Sequence, residues 1–393
     1  MSISENFLEH YLERFDAVPF LVQFQNGHHL LIGEGQPQFE VVVNNKIDKS
    51  SLLKSTSLAL GEAYINKGIE IKGDLYQCLN AILSQMNKFT TNRSALHSLL
   101  HSSTSQNNQK EEVQSHYDIS NDFYQLWLDE TMSYSCAYFA HDSDSLFTAQ
   151  KQKIAYILKK LNLQEGMSLL DIGCGWGYLL IEAAKTYKIH GVGITLSKEQ
   201  EKKFKQRIQE EQLEEYLEVR LMDYRELEHS GLLFDRIVSV GMLEHVGRKH
   251  YELFLKNVDS VLKPKGVFLL HYISALKEYS GDPFIKKYIF PGGMIPSLRE
   301  IINLCGDMNY YTVDVESLRR HYNKTLLCWR DNFNQHKEQI LDMFDENFVR
   351  MWELYLCSCA AGFANGVIDL HQLLLTKGCN NELPLTRDYL YQD

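Results

Sequence analysis

Long apolar runs are absent from these 393 residues: none reaches the roughly eighteen consecutive apolar positions of a membrane-spanning helix, so nothing is expected to cross a bilayer. The N-terminus lacks the basic start and apolar core of a secretory leader, and Glu5, Glu9, Glu13 and Asp16 stand there instead. Eight cysteines are scattered without a framework spacing, and Cys357 and Cys359 are too close to bridge each other easily. Reduced thiols and a cytoplasmic location are therefore expected. Positive charge is scarce too. A net charge of −11 argues against nucleic acid as a partner. What is present, 44% hydrophobic and 23% charged residues, suits a globular chain long enough for two domains.

Two patterns follow one another along the chain. In the first, Phe20 to Phe24 and His28 to Ile32 flank an Asn26-Gly27 turn and read as a hairpin. Phe39 to Val43 and Ile69 to Ile71 add strands, while Ser51 to Asn66 and about Asp74 to Phe89 have helical spacing. This predicts a small α+β domain over 1–101, with a polar linker over 102–112. From there to residue 393 strands and helices alternate. Strands are expected at 168–172, 190–194, 217–221, 236–240 and 267–271, and helices near 179–187, 198–211 and 251–262. Such alternation implies a parallel sheet covered on both faces, with ligands at the carboxyl ends of its strands. Residues 273–318, rich in Pro, Gly and aromatics, read as an inserted lid.

Two basic clusters interrupt the acidic background. Lys202, Lys203, Lys205 and Arg207 are surrounded by Glu199, Glu201, Glu210 and Glu211 and read as a solvated helix face. Lys286 and Lys287 are flanked by apolar residues instead. They fit either a contact with lipid headgroups or an internal lid.

The segment Leu169-Leu-Asp-Ile-Gly-Cys-Gly-Trp-Gly177 follows a predicted strand and opens a predicted helix. Gly173, Gly175 and Gly177 allow close backbone approach and positive φ. A dinucleotide site spaces its glycines G-x-G-x-x-G to seat a pyrophosphate on the helix end. Here the spacing is G-x-G-x-G, and Asp171 precedes it. An acid suits the cationic groups of S-adenosylmethionine better than it suits a pyrophosphate. After the second strand, where methyltransferases usually carry an acid for the ribose, this chain has Thr195 to Gln200. Thr195 and Gln200 are positioned to hydrogen-bond the ribose or the methionine end, and a Thr or Ser of the segment to cap the following helix; the two are compatible. Asp223 and Tyr224, after the third strand, are expected to meet the adenine, Tyr224 as a stacking face.

Several segments together resemble the cyclopropane-fatty-acyl-phospholipid synthase family. They are Ser115-His-Tyr-Asp-Ile-Ser-Asn-Asp-Phe-Tyr124, Met132-Ser-Tyr-Ser-Cys-Ala-Tyr138, the glycine turn, and Gly191-Val-Gly-Ile-Thr-Leu-Ser197. Ser239-Val-Gly-Met-Leu-Glu-His-Val-Gly247, Lys287-Tyr-Ile-Phe-Pro-Gly-Gly293 and Tyr322-Asn-Lys-Thr-Leu-Leu-Cys-Trp329 continue the series. The match runs in order from about residue 112 to the end; the first hundred residues agree only in length and position.

The resemblance implies a class I S-adenosylmethionine-dependent methyltransferase, a Rossmann-like α/β fold with a mixed, mostly parallel sheet. It implies that Tyr134, Ser135 and Leu196 join the cofactor site, and that no metal takes part. The implied reaction adds a methylene across a cis double bond of a phospholipid acyl chain, with bound bicarbonate as the base. Cys136, Glu244, His271 and Tyr322, with the backbone N–H of Ile273, match the family's bicarbonate cage. Glu244 would repel an anion unless it accepts the bicarbonate hydroxyl hydrogen or is protonated by burial, and the first is preferred. Cys359 matches a cysteine discussed as catalytic in the family, although no step of this chemistry needs a nucleophile.

A carbocation would need a dry site and aromatic faces. Tyr134, Tyr138, Phe139, Tyr272 and Tyr310 are candidates, Tyr272 first because it adjoins His271. The resemblance extends to partners: reversible association with the phospholipid membrane surface, and a homodimer supported by the N-terminal domain.

Overall fold

The computed structural model describes residues 15, 18–45, 47–85 and 120–391. The expected linker, the end of the helix predicted to Phe89, and residues 115–119 of the first matching segment lie outside the described residues. The chain divides into two compact units. The first comprises Met1–His101, Gly281–Pro291 and Leu326–Val367; the second comprises Ser102–Ser280, Gly292–Thr325 and Ile368–Asp393.

In the first unit, β1 (Phe20–Phe24) and β2 (His29–Ile32) form the expected hairpin around Gly27, whose φ of +79° is why glycine stands there. β3 (Glu40–Val43) runs parallel to β1, and β4 (Ile69–Lys72) closes a four-stranded sheet in the order β2-β1-β3-β4. Phe20 stacks on Phe39 with ring centroids 5.0 Å apart, in a core with Phe15, Val22, Phe24 and Ile32. The single helix expected over 51–66 is two, Lys49–Lys54 and Thr56–Ile65. Ser55 is extended between them, and its hydroxyl accepts the N–H of Leu58 as a cap.

Helix Glu346–Ala364 belongs to this unit although it lies far along the chain. It packs against helices Leu75–Ser84 and Thr56–Ile65, and the Arg350 guanidinium donates to the carbonyls of Tyr64 and Ile69. Phe284 lies against Gly61, where a Cβ would come within 2.6 Å of its ring. Within the stretch expected as one domain over 113–393, residues 281–291 and 326–367 pack in the first unit.

The second unit is built on a seven-stranded sheet in the order β10-β11-β9-β8-β5-β6-β7. Its strands are β5 (Ser168–Ile172), β6 (His190–Thr195), β7 (Leu217–Leu221), β8 (Phe234–Val240), β9 (Leu262–Ser274), β10 (Tyr310–Ser317) and β11 (Asp369–Lys377). β5 to β9 pair in parallel, and β11 runs antiparallel to both β9 and β10. Strand order reverses at β5, between β6 and β8, which opens a crevice at the carboxyl ends of these strands. Side chains alternate along β9: Phe268, Leu270 and Tyr272 enter one core cluster, and Val267 and Leu269 the other.

The insertion or lid expected over 273–318 is corrected in its second half. Residues 298–307 form a capped helix, and 310–317 are β10 itself, an edge strand of the main sheet. No helix among the described residues is long and apolar enough to cross a membrane.

Candidate active site

β5 delivers Asp171 to its carboxyl end, and the chain then turns through Gly173, Gly175 and Gly177 at φ of +83°, +53° and +84°. The angles at Gly173 and Gly177 are ones that glycine takes far more readily than other residues. The N–H groups of Gly173 and Cys174 both donate to the carbonyl of Ile194, at 3.0 and 3.1 Å, which ties the turn to the end of β6. A Cβ on Gly177 would stand 2.1 Å from the Phe204 ring, and one on Gly193 would stand 2.9 Å from it. The bare backbone therefore seats the turn directly on that buried ring.

A cleft opens over this turn. Its walls include Tyr134 and Ser135, Asp171 and the three glycines, Thr195, Leu196 and Gln200, and Asp223 and Tyr224. The structure thus gathers every residue expected at the cofactor around one crevice. These residues also bond among themselves and to their neighbours. Thr195 donates to Gln200 Oε1 at 2.7 Å and accepts the Ser197 N–H, while Ser197 caps the helix. Asp223 is held by Arg225 through two oxygens, at 2.9 and 2.6 Å, and caps the turn of helix that follows. Tyr224 packs edge-on to Phe254 with the Arg225 guanidinium over its ring, so one of its faces is already covered.

Lys153 is the residue that sequence reasoning missed here. It lies on helix Leu146–Leu161, is 4% exposed, and donates to Ser135 Oγ at 3.0 Å. Burial pulls its ammonium down to about 8, against the pull of Asp129, Cys136 and Asp171. Asp171 is equally buried, and one carboxylate oxygen has no hydrogen-bond partner among the described residues. Burial pushes it up to about 7, with Lys153 opposing. The two line one cleft with no ion pair between them among the described residues, an arrangement that leaves room for a zwitterion. The signal was available: Leu146, Ala149, Gln150, Lys153, Ile154, Ile157, Leu158, Lys160 and Leu161 form one helical stripe, and three members of it are polar. Gln150 donates to the carbonyls of Ser133 and Ser135. Arg207, assigned to a solvated face with its lysine neighbours, instead reaches the carbonyls of Glu130, Thr131 and Trp176.

The expected cage residues Cys136, Glu244, His271, Ile273 and Tyr322 all belong to the same unit. Cys136 Sγ lies 3.8 Å from the Leu318 carbonyl, which accepts the Tyr322 N–H; the Leu318 N–H in turn donates to Leu370, opposite Ile273 across β9 and β11. Ile273 departs from expectation. Its N–H donates to Glu244 Oε1 at 2.6 Å and is not open to an anion, because the buried carboxylate takes the nearest donor. The other oxygen of Glu244 has no partner among the described residues, and burial raises the group to about 7. The protonated form of Glu244 is thus populated near neutral pH.

His271 is buried and faces Gln372 of β11, whose side-chain amide lies 3.1 Å from its Nδ1. Its Nε2 has no partner among the described residues, and burial holds its pKa well below the ordinary histidine value. Tyr272 does not accompany it: strand alternation sends that ring into the opposite core layer with Tyr251 and Cys305. Cys136 is buried, and burial pushes its thiol far up. Cys359 lies on helix Glu346–Ala364 of the first unit, its thiol pushed up to about 12, which leaves it a poor nucleophile.

Comparison with known proteins adds the following. The family described as mycolic acid cyclopropane synthetase matches residues 104–373, and a domain of unknown function (DUF7884) matches residues 7–94. A cyclopropane-fatty-acyl-phospholipid synthase of Escherichia coli K12 is 42% identical over 273 residues, 69% of each chain. A probable fatty acid methyltransferase of Pseudomonas putida is 35% identical over 95% of this chain and 97% of its own. Among solved structures, the cyclopropane synthase MmaA2 of Mycobacterium tuberculosis has a TM-score of 0.65 and 36% identity, covering 68% of this chain and 98% of its own. The mycolic acid cyclopropane synthase CmaA1, solved with S-adenosylhomocysteine, has a TM-score of 0.64 at the same identity, covering 68% of this chain and 98% of its own. The sheet order and these neighbours make the second unit a class I, Rossmann-like S-adenosylmethionine-dependent methyltransferase fold.

Proposed function

This chain belongs to the mycolic acid cyclopropane synthetase family, and from that premise we propose that it converts the cis double bond of an unsaturated phospholipid acyl chain into a cyclopropane ring. The observation that carries the reading is the conjunction of two buried features. One is a cleft lined by a buried carboxyl and a buried ammonium with no ion pair between them among the described residues. The other is at the end of β9, where Glu244, bonded to the N–H of Ile273, keeps one oxygen unpartnered among the described residues, and His271, two residues back on the same strand, keeps one such nitrogen.

S-adenosylmethionine, when bound, supplies an electrophilic methyl on a cationic sulfur. The site fits it: Asp171 would meet the ammonium of its amino-acid end, Lys153 and Ser135 the carboxylate, and the glycine turn the backbone-facing edge. In the overall change one alkene carbon gains the methyl carbon as the sulfur–carbon bond breaks and leaves S-adenosylhomocysteine. The new methyl then loses a proton, and the electrons of that C–H bond close the ring. Glu244, His271 and Tyr322 would hold a bicarbonate, which would supply the base. Burial of Cys136, Glu244 and His271 keeps water from this cluster, and water would otherwise divert a cation to an alcohol.

Reaching the acyl chain requires contact with a phospholipid surface, which we take to be local and reversible because the chain is acidic. Lys287 contributes less than its sequence position suggests. It pairs with Glu62, within hydrogen-bonding distance of which lies Tyr288.

A second reading, methyl transfer to an acyl chain without ring closure, is favoured by the Pseudomonas putida relative, matched nearly end to end. One experiment separates the two. Methyl-labelled S-adenosylmethionine is incubated with vesicles of a cis-unsaturated phospholipid, and the released acyl chains are weighed before and after catalytic hydrogenation. Gain of one CH2 with loss of the alkene supports the proposal. Label retained on a chain that still takes up hydrogen favours the second reading, and acyl chains left unlabelled defeat both.

A further inference from the structure

Lys160 sits on the same buried helix stripe as Lys153 but points elsewhere. Its side chain is fully buried, and its ammonium lies 2.6 Å from Glu316 and 3.4 Å from Asp314, both on β10. The same ammonium lies 2.9 Å from Oε1 of Gln372 on β11. Gln372 is itself 1% exposed, and its register partner on β9 is His271.

These contacts remove the usual ambiguity of an amide and an imidazole. An ammonium has only donors, so Gln372 must turn its oxygen to Lys160. The amide NH2 is then the end that faces His271 Nδ1 at 3.1 Å, and an NH2 group only donates. Nδ1 must therefore accept. In a neutral ring the proton is left on Nε2, the nitrogen without a partner among the described residues.

We propose that Lys160 and Gln372 are positioning residues that lock His271 as its Nε2–H tautomer, so that the ring presents a donor, and not a lone pair, to the reacting cluster. Two carboxylates on β10 anchor the cation, the cation anchors the amide, and the amide chooses the tautomer. His271 is then built to hold an anion or an oxygen and not to take the proton itself. The role in turnover rests on the functional reading above. The tautomer does not, since it is a property of the folded chain alone.

The test is the two-bond nitrogen–proton correlation spectrum of the full chain labelled with 15N-histidine, with His271→Gln used to assign the ring. The expected wild-type pattern is an acceptor-type Nδ1 and a protonated Nε2. The reverse pattern, or an equal mixture, overturns the proposal without any variant. Gln372→Glu keeps the shape but offers an acceptor to Nδ1, so the proton is expected to appear on Nδ1, with kcat reduced at least about tenfold. A Gln372→Glu spectrum with the wild-type pattern also overturns it. Should that variant fail to fold, Lys160→Met serves, because an amide released from the cation is expected to give both tautomers. Absence of cyclopropane formation by the wild-type chain, with the expected wild-type spectrum, would count against the functional reading and leave the tautomer standing.

Discussion

Glu244 keeps one oxygen bonded and one bare in a dry site, and its protonation is tied to folding. Its pKa in the folded chain, about 7, lies above the ordinary 4.5. Between those values the folded chain holds a proton that the unfolded chain has released. The stability this residue contributes is therefore complete below about 4.5 and is lost as pH rises through about 7. Asp171, raised from 3.8 to about 7, behaves in the same direction. His245, lowered to about 4 by burial, behaves oppositely, so the test compares wild type with a single variant. Glu244→Gln should gain on wild type by roughly 3 kcal/mol between about pH 4 and pH 8, measured by urea unfolding at both ends. A difference that does not change with pH would mean the carboxyl is not raised.

Helix Leu146–Leu161 brings three polar groups into the sheet unit from one apolar stripe. Gln150 goes to the Ser133–Ser135 carbonyls, Lys153 to Ser135, and Lys160 to Gln372. If Lys153 holds the carboxylate of the cofactor, Lys153→Met should weaken S-adenosylhomocysteine by about 10- to 100-fold. It should leave 5′-methylthioadenosine, which lacks the amino-acid end, nearly unaffected. Titration calorimetry on both ligands decides, and an equal loss for both would remove the assignment.

This helix also shows where sequence reading reached and where it stopped. The strands at 168–172 and 217–221 agree to the residue, the first because a buried parallel strand is a short apolar run between turn signals, the second because Leu-Glu-Val-Arg-Leu alternates as an edge strand with one buried face does. The glycine turn was legible from its spacing together with Asp171 and the strand and helix on either side of it. Lys153 and Lys160 were not, since a lysine in a sequence reads as solvated until its stripe is seen to be buried. β10 and β11 were missed for another reason. Their pairing is antiparallel and long-range, and the Pro- and Gly-rich stretch ahead of them resembles a loop. The Ile273 N–H was assigned to an anion because a strand's hydrogen bonds cannot be apportioned from its sequence.

For the whole molecule, the discontinuous first unit sets what can be cut away. Removing residues 1–101 would take helices Thr56–Ile65 and Leu75–Ser84 from the buried face of helix Glu346–Ala364 and leave Arg350 without its carbonyl partners. Leu354, Leu356, Cys357 and Phe363 are among the buried side chains of that helix. The truncated chain should melt at a lower temperature than the full chain and aggregate, seen by calorimetry and light scattering. A monodisperse truncation with an unchanged melting temperature would show that the unit does not depend on its first segment.

The same arrangement bears on how the protein is made. The four-stranded sheet leaves the ribosome early, but the helix that covers its own unit's helices is not synthesised until residues 346–364. At ordinary elongation rates that interval is on the order of tens of seconds. Throughout it the sides of Thr56–Ile65 and Leu75–Ser84 that meet this helix have no native cover, so the nascent chain has a long window in which a chaperone would be of use.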